Sequence, residues 1–285
     1  MLNALTIDVE DYFQVSAFNK YVKYEDWSRY PSRVEANTLK ILDTLEEFSV
    51  KATFFILGWV AEKHPSLIKE IHKRDHEIAC HGYNHELIYN ISHESFRQDI
   101  KRAKMLLEDT CGEKVNCYRA PSYSITRASL WALDILIEEG FTCDSSIFPI
   151  HHDVYGIPGA RRFPHKISRP HGVIQEFPVS TRELRISGYK FRVPVSGGGY
   201  LRLLPVWLIK RAIKHINENE KQPAIIYFHP WEIDPEQPRI RAGIRSRFRH
   251  YINLNRTMDK VKYLLSSFKF APIGEVLKNN ETKYI

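Results

Sequence analysis

The chain has 285 residues, of which 43% are hydrophobic and 26% charged. That mixture excludes a disordered, collagen-like or disulfide-stapled chain and fits one large globular domain or two small ones. Lysine and arginine outnumber aspartate and glutamate by 41 to 34, and the net charge of +7 favours acidic partners without naming one.

Residues 2–7 read as a short apolar strand that ends in acid, with Asp8, Glu10 and Asp11 inside four positions. A turn or helix cap needs one such side chain. Three point instead to a site of the kind that α/β folds build at the carboxyl ends of strands. Residues 34–48 carry apolar side chains at helical spacing, and the nearly continuous apolar run 52–57, closed by Gly58, reads as a strand buried on both faces. A helix over 65–76, a strand over 77–80 and a helix over 93–109 capped by Ser92 follow. Residues 115–118 read as a strand that leads into Arg119-Ala120-Pro121-Ser122-Tyr123. Thr126 is placed to cap a helix reaching Gly140, and 141–143 leads to Asp144. This alternation predicts a parallel α/β architecture. Residues 145–170, rich in proline, glycine, histidine and arginine, read as an excursion loop, and 172–180 as a returning strand. The glycine-rich stretch 196–200 lacks the lysine and spacing of a phosphate loop and reads as a flexible or close-approach segment. A helix over 205–217, a buried strand over 224–228 ending at His229, and a helix over 258–268 complete the chain. No repeat or linker divides it, so residues 1–285 are read as one domain.

His81 and His85 are four residues apart, a spacing that can aim two imidazoles at one divalent metal. His72 and His76 share that spacing, but they lie in an amphipathic helix pattern beside lysine and arginine, where a solvated face accounts for them. The difference lies in the company each pair keeps. Strand ends across the chain offer Asp8 with Glu10 and Asp11, then His81 with His85, then Arg119, then His229. In a barrel or open parallel sheet such ends face one side, so chance is a poor account of all four.

The four cysteines Cys80, Cys111, Cys117 and Cys143 have no zinc-ribbon spacing and are expected to be reduced; a Cys111–Cys117 disulfide is allowed but not required. The acidic start of the chain is unlike a signal peptide, and the longest apolar run, 52–61, is about half a membrane span. The expected location is cytoplasmic, or peripheral to a membrane. The arginines between 239 and 249 are explained equally well by a solvated loop and by a binding surface.

His81-x-x-x-His85 followed by Arg119-x-Pro121-x-Tyr123, with Asp8-Val9-Glu10-Asp11-Tyr12-Phe13 at the start, resembles the NodB-type polysaccharide deacetylases, a carbohydrate esterase family, and specifically their exopolysaccharide-associated branch. The resemblance implies a distorted (β/α) barrel of about seven units. It also implies metal-dependent removal of N-acetyl groups from an amino-sugar glycan or its lipid-linked precursor. Carried over to this chain, His81 and His85 are metal ligands, with Zn2+ as the expected ion. Asp8 is the general base, held by Arg119, the Tyr123 backbone N–H faces the oxyanion, and His229 is the general acid. The family usually has two adjacent aspartates where this chain has Asp8-Val9. The metal carboxylate is therefore Glu10, which shares a direction with Asp8 on an extended segment, or alternatively Asp11. The acid tuning His229 is Asp144 or Glu176. Tyr12, Pro121, Tyr200 and Trp231 are candidate sugar contacts. Competing readings are a hydrolase of small amides or cyclic ureides, a glycan-binding protein without turnover, and a nucleic-acid binder, for which no motif speaks. Oligomeric state is not legible.

Overall fold

The computed structural model describes residues 1–281 apart from 153, 154, 187, 188 and 196; Ser196, the first residue of the glycine-rich stretch, lies outside them. In chain order the strands are β1 (Leu2–Val9), β2 (Thr53–Ile56), β3 (Glu77–Cys80), β4 (Cys117–Tyr118), β5 (Cys143–Asp144), β6 (His165–Arg169), β7 (Gly172–Glu176), β8 (Thr181–Ile186), β9 (Tyr189–Pro194), β10 (Ile225–Phe228) and β11 (Lys269–Ala271). β1 and β2 are buried throughout except at Leu2, as expected of strands covered by helices on their outer face and by core on the inner.

The main sheet runs in the order β10-β1-β2-β3-β4-β5-β7-β6, with β11 added to β1 below β2. All pairings from β10 to β7 are parallel, as is that of β11 with β1, giving eight parallel strands, and only β6 returns antiparallel, on β7. The fold is a mixed α/β single domain, a distorted (β/α) barrel. Connecting helices pack outside it. Pro65–Lys73, for example, buries Leu67, Ile68 and Ile71 on one stripe.

Several sequence expectations are revised. The excursion loop contains β6, because Ile167 pairs with Ile174 across a hairpin. The expected strand 172–180 stops at Glu176. Thr126 caps a short 3-10 turn, Arg127–Ser129, whose Ser129 hydroxyl takes back the Thr126 N–H, and the α-helix starts only at Ala132. All four cysteines are free, in line with the expectation of reduced thiols. His76 is not on a solvated face: it is buried, accepts the Ala52 N–H on Nδ1 at 3.2 Å and packs edge-on to Phe54. The glycine-rich stretch is a close approach, since a Cβ on Gly197 would sit 1.9 Å from the Tyr227 carbonyl oxygen.

Candidate active site

β1, β3, β4 and β10 all end on the same side of the barrel, and a polar residue of the site lies at or just beyond each end: Asp8 and Glu10, His81, Arg119 and His229. Alternation along β1 sends Asp8 and Glu10 the same way. After β3 the chain must turn at once. Gly82, at φ +75°, makes that turn, and a Cβ there would meet the Asp99 carboxylate at 2.8 Å. Asp99 accepts the N–H groups of Tyr83 and Asn84 at 2.7 and 3.1 Å, pinning the loop that brings His85 back beside His81.

Ligand atoms of Glu10, His81 and His85 all lie within 4.8 Å of one another, and all three residues are buried. His81 Nδ1 lies 2.7 Å from the Arg119 carbonyl oxygen, which fixes the tautomer that leaves Nε2 with its lone pair free. Burial pulls the His81 ring down to about 4, so it is neutral, as a ligand must be. Glu10 Oε2 comes within 2.7 Å of His85 Nε2. Neither that oxygen nor His85 Nδ1 has a hydrogen-bond partner among the described residues. The Trp231 indole N–H donates to the other oxygen, Oε1, at 3.1 Å. Burial alone would raise the Glu10 carboxyl, yet His85 and His229 hold it well below the ordinary range. A buried, ionised carboxylate beside two imidazoles and two unpartnered polar atoms fits a divalent cation. Asp11 is turned elsewhere: it accepts the Ser32 hydroxyl and the N–H groups of Arg33 and Val34, capping the helix Val34–Glu47.

Arg119 is fully buried and fully engaged. It donates to Asp8 Oδ1 at 2.6 Å, to the Thr6 hydroxyl at 2.8 Å, and to the Ser145 carbonyl and hydroxyl at 3.2 and 2.9 Å. Asp8 Oδ2 then faces His229 Nε2 at 3.8 Å. Such a charge-assisted pair keeps the carboxylate in one orientation.

The acid partner of His229 is neither Asp144 nor Glu176. Glu232, on the turn that follows β10, lies 2.9 Å from His229 Nδ1 and also accepts the His229 backbone N–H at 3.0 Å. Arg202 holds the other Glu232 oxygen at 2.5 Å. Burial would lower the His229 ring, but Glu10, Glu232 and Asp8 together raise it to about 9, so it carries a proton at neutral pH. Asp144 and Glu176 are register partners on β5 and β7, where burial raises both carboxyls. Sequence reasoning missed Glu232 because it looked for acids at strand ends. The signal was the spacing His229-x-x-Glu232, the reciprocal capping pattern of a helical turn.

The aromatic candidates divide. Tyr12 is fully buried, edge-on to Phe13 at 5.2 Å, and Trp231 is buried between His229 and His250. Both are parts of the scaffold, not sugar platforms. Pro121 is buried at the start of the Pro121–Tyr123 turn, and Tyr200 is half-buried. Ser122 and Tyr123 both adopt positive φ, 50° and 53°, a conformation that non-glycine residues keep only where the surroundings enforce it. The Tyr123 N–H donates to the Ala120 carbonyl at 3.0 Å.

Residues 21–136 match the family model described as polysaccharide deacetylase, and residues 145–278 match a domain of unknown function, DUF3473. A peptidoglycan-N-acetylglucosamine deacetylase of Bacillus cereus is 31% identical over 152 residues, 48% of this chain and 53% of that protein. Over these residues the chain is similar to polysaccharide deacetylases. A chitooligosaccharide deacetylase of Rhizobium leguminosarum bv. trifolii is 26% identical over 117 residues, 41% of this chain and 50% of the relative. The chain thus spans about half the length of these two curated relatives. Among solved structures, Puue allantoinase superposes with a TM-score of 0.61 at 13% identity, covering 99% of this chain and 90% of that one. The Bc1960 peptidoglycan N-acetylglucosamine deacetylase superposes with a TM-score of 0.51 at 19% identity, covering 96% and 87%. These two likenesses extend the shared fold over nearly the whole chain, beyond the residues matched by the deacetylase family model.

Proposed function

We propose that this chain is a metal-dependent hydrolase that removes N-acetyl groups from an amino-sugar glycan, an exopolysaccharide or its lipid-linked precursor, releasing acetate. The observation that carries the reading is the placement of Glu10, His81 and His85 between two differently prepared groups. Asp8 is locked by Arg119 on one side, and His229 is protonated against Glu232 on the other. Glycan binding alone needs neither a held carboxylate nor a held imidazolium. Names and partial identities of the relatives add support for the substrate class.

Glu10, His81 and His85 would hold the ion, with Zn2+ the best match to two imidazoles and one carboxylate. Such an ion supplies Lewis acidity toward an amide carbonyl and its attacking water. The chain's own residues then divide the proton work. Asp8 accepts a proton from the water, and Arg119 keeps its Oδ1 occupied so that Oδ2 faces the cleft. His229 gives its Nε2 proton to the leaving amine, which cannot depart as an anion. Trp231 holds the Glu10 carboxylate in place. The Tyr123 N–H is assigned to the oxyanion, shared with the Ala120 carbonyl that it already meets. Residues 1–285 act as one catalytic domain, a reading supported by the sheet that runs through both matched segments.

The test is acetate release from N-acetylated oligosaccharides, after chelation and after zinc is restored. Release that follows the metal is the expected result, with His81→Ala losing metal and activity together. A zinc-loaded chain that releases no acetate but hydrolyses a small amide or cyclic ureide would sink the glycan reading.

A further inference from the structure

From Gln237 to Met258 the chain has six arginines and no acid. Arg239, Arg241, Arg245, Arg247 and Arg249 are all exposed. None of the five is ion-paired among the described residues, whereas the half-buried Arg74, Arg97 and Lys104 each sit beside a carboxylate. The helix Ile244–Tyr251 that carries three of them also points apolar side chains into solvent. Ile244 is 85% exposed and Phe248 59%, one turn apart on one face. Tyr21, 47% exposed, joins them by accepting the Gly243 N–H on its hydroxyl at 3.1 Å. Between these groups is an open cleft of about 430 Å3 lined by Tyr21, Arg239, Ile240, Arg241, Ala242 and Arg247. It brings three guanidinium groups together over a partly apolar floor.

The inner side of this element is fastened. Tyr251 accepts the Ile240 N–H at 2.8 Å, and Arg239 lies over the Tyr251 ring at 4.2 Å. His250 is buried, stacks on Trp231 at 4.1 Å, and its carbonyl accepts from Arg202 at 2.9 Å. The face is therefore presented rigidly, with its back against the residues that position His229.

We infer that this face docks on a membrane surface that carries anionic phospholipid. Ile244 and Phe248 enter the headgroup region, and the arginine cleft takes a lipid phosphate. A soluble polyanion would use the arginines but gives no role to two apolar side chains held out in water. A lipid surface uses both. The surface stands on its own observations and does not rest on the deacetylase reading.

The test is co-sedimentation of the full chain with phosphatidylcholine vesicles, with and without a third of phosphatidylglycerol, at low and raised salt. Binding should require the anionic lipid and weaken with salt. Arg241→Ala and Arg247→Ala should each cost about fivefold in partitioning, and Ile244→Ser with Phe248→Ser on the order of tenfold or more. Arg245→Glu, exposed and outside the cleft, gives a second charge variant should either alanine variant fold poorly. All should keep the parent's rate on a soluble substrate, and vesicle binding is read without turnover. Absence of binding to anionic vesicles overturns the inference, as does equal binding to neutral ones. Loss in the arginine variants with none in Ile244→Ser/Phe248→Ser also overturns it, in favour of a soluble polyanion.

Discussion

Glu232→Gln separates the two duties of one buried carboxylate. Glutamine keeps the shape and an acceptor for the His229 N–H but removes the negative charge. His229 is raised to about 9 against its own burial by Glu10, Glu232 and Asp8. Its acid form is therefore populated below about pH 9, and a step that needs that proton slows as pH rises through that value. Removing one of the three charges should move the alkaline limb of kcat down on the order of one pH unit, equivalent to about 1.4 kcal/mol. The same change leaves Arg202, only 3% exposed, without its counter-charge, which costs about 3 kcal/mol of stability. The assay is acetate release across the alkaline range beside urea unfolding, with Arg202→Met added in the double variant to recover stability but not the limb. Asp144→Asn should leave the limb where it is. An unmoved alkaline limb in Glu232→Gln, or a limb that moves in Asp144→Asn, would refute the reasoning.

Glu10 and Asp11 should part company. Glu10→Gln should lose zinc affinity by on the order of a hundredfold or more, whereas Asp11→Ala should keep the metal and lose about 1–2 kcal/mol through the cap of the helix Val34–Glu47; equal metal content in both variants counts against the ligand set. His76 gives a stability prediction with a definite sign. Burial lowers its ring from 6.5 to about 4, so the unfolded chain takes up a proton first as pH falls. Its contribution is complete above about 6.5 and is lost progressively down to about 4, roughly 3 kcal/mol in all. His76→Gln should flatten urea stability across that window, and an unchanged acid dependence would exclude the assignment.

What the sequence made legible follows from geometry that repeats. Apolar runs that end in a polar residue mark parallel strands, and alternation alone favoured Glu10 over Asp11. What it concealed depends on how a turn closes or on contacts far along the chain. Glu232 reaches His229 only because the turn after β10 is helical. Trp231, a candidate sugar contact from its place beside His229, is committed to Glu10 and His250. β6 was hidden because His165 to Arg169 holds a single apolar residue, Ile167, inside a stretch dominated by turn formers. His76 looked solvated because lysine and arginine flank it, whereas one backbone N–H and one phenyl ring decide its fate.

The Arg119 guanidinium ties β1 to the segment just after β5, spanning 111 residues to Asp8 and 26 to Ser145. His229 closes on Asp8 from 221 residues away, beyond both the deacetylase match and the boundary that follows it. No contiguous piece of this chain therefore holds the whole candidate site. A fragment ending at residue 136 would keep Glu10, His81 and His85 yet lack Ser145, His229 and the strand β10 that pairs with β1. It could bind metal and still be inert, and metal content alone is a misleading sign of a competent molecule. Conversely, two separately expressed halves that regain turnover on mixing would report reassembly of the whole sheet, making the chemistry itself a sensor of tertiary closure.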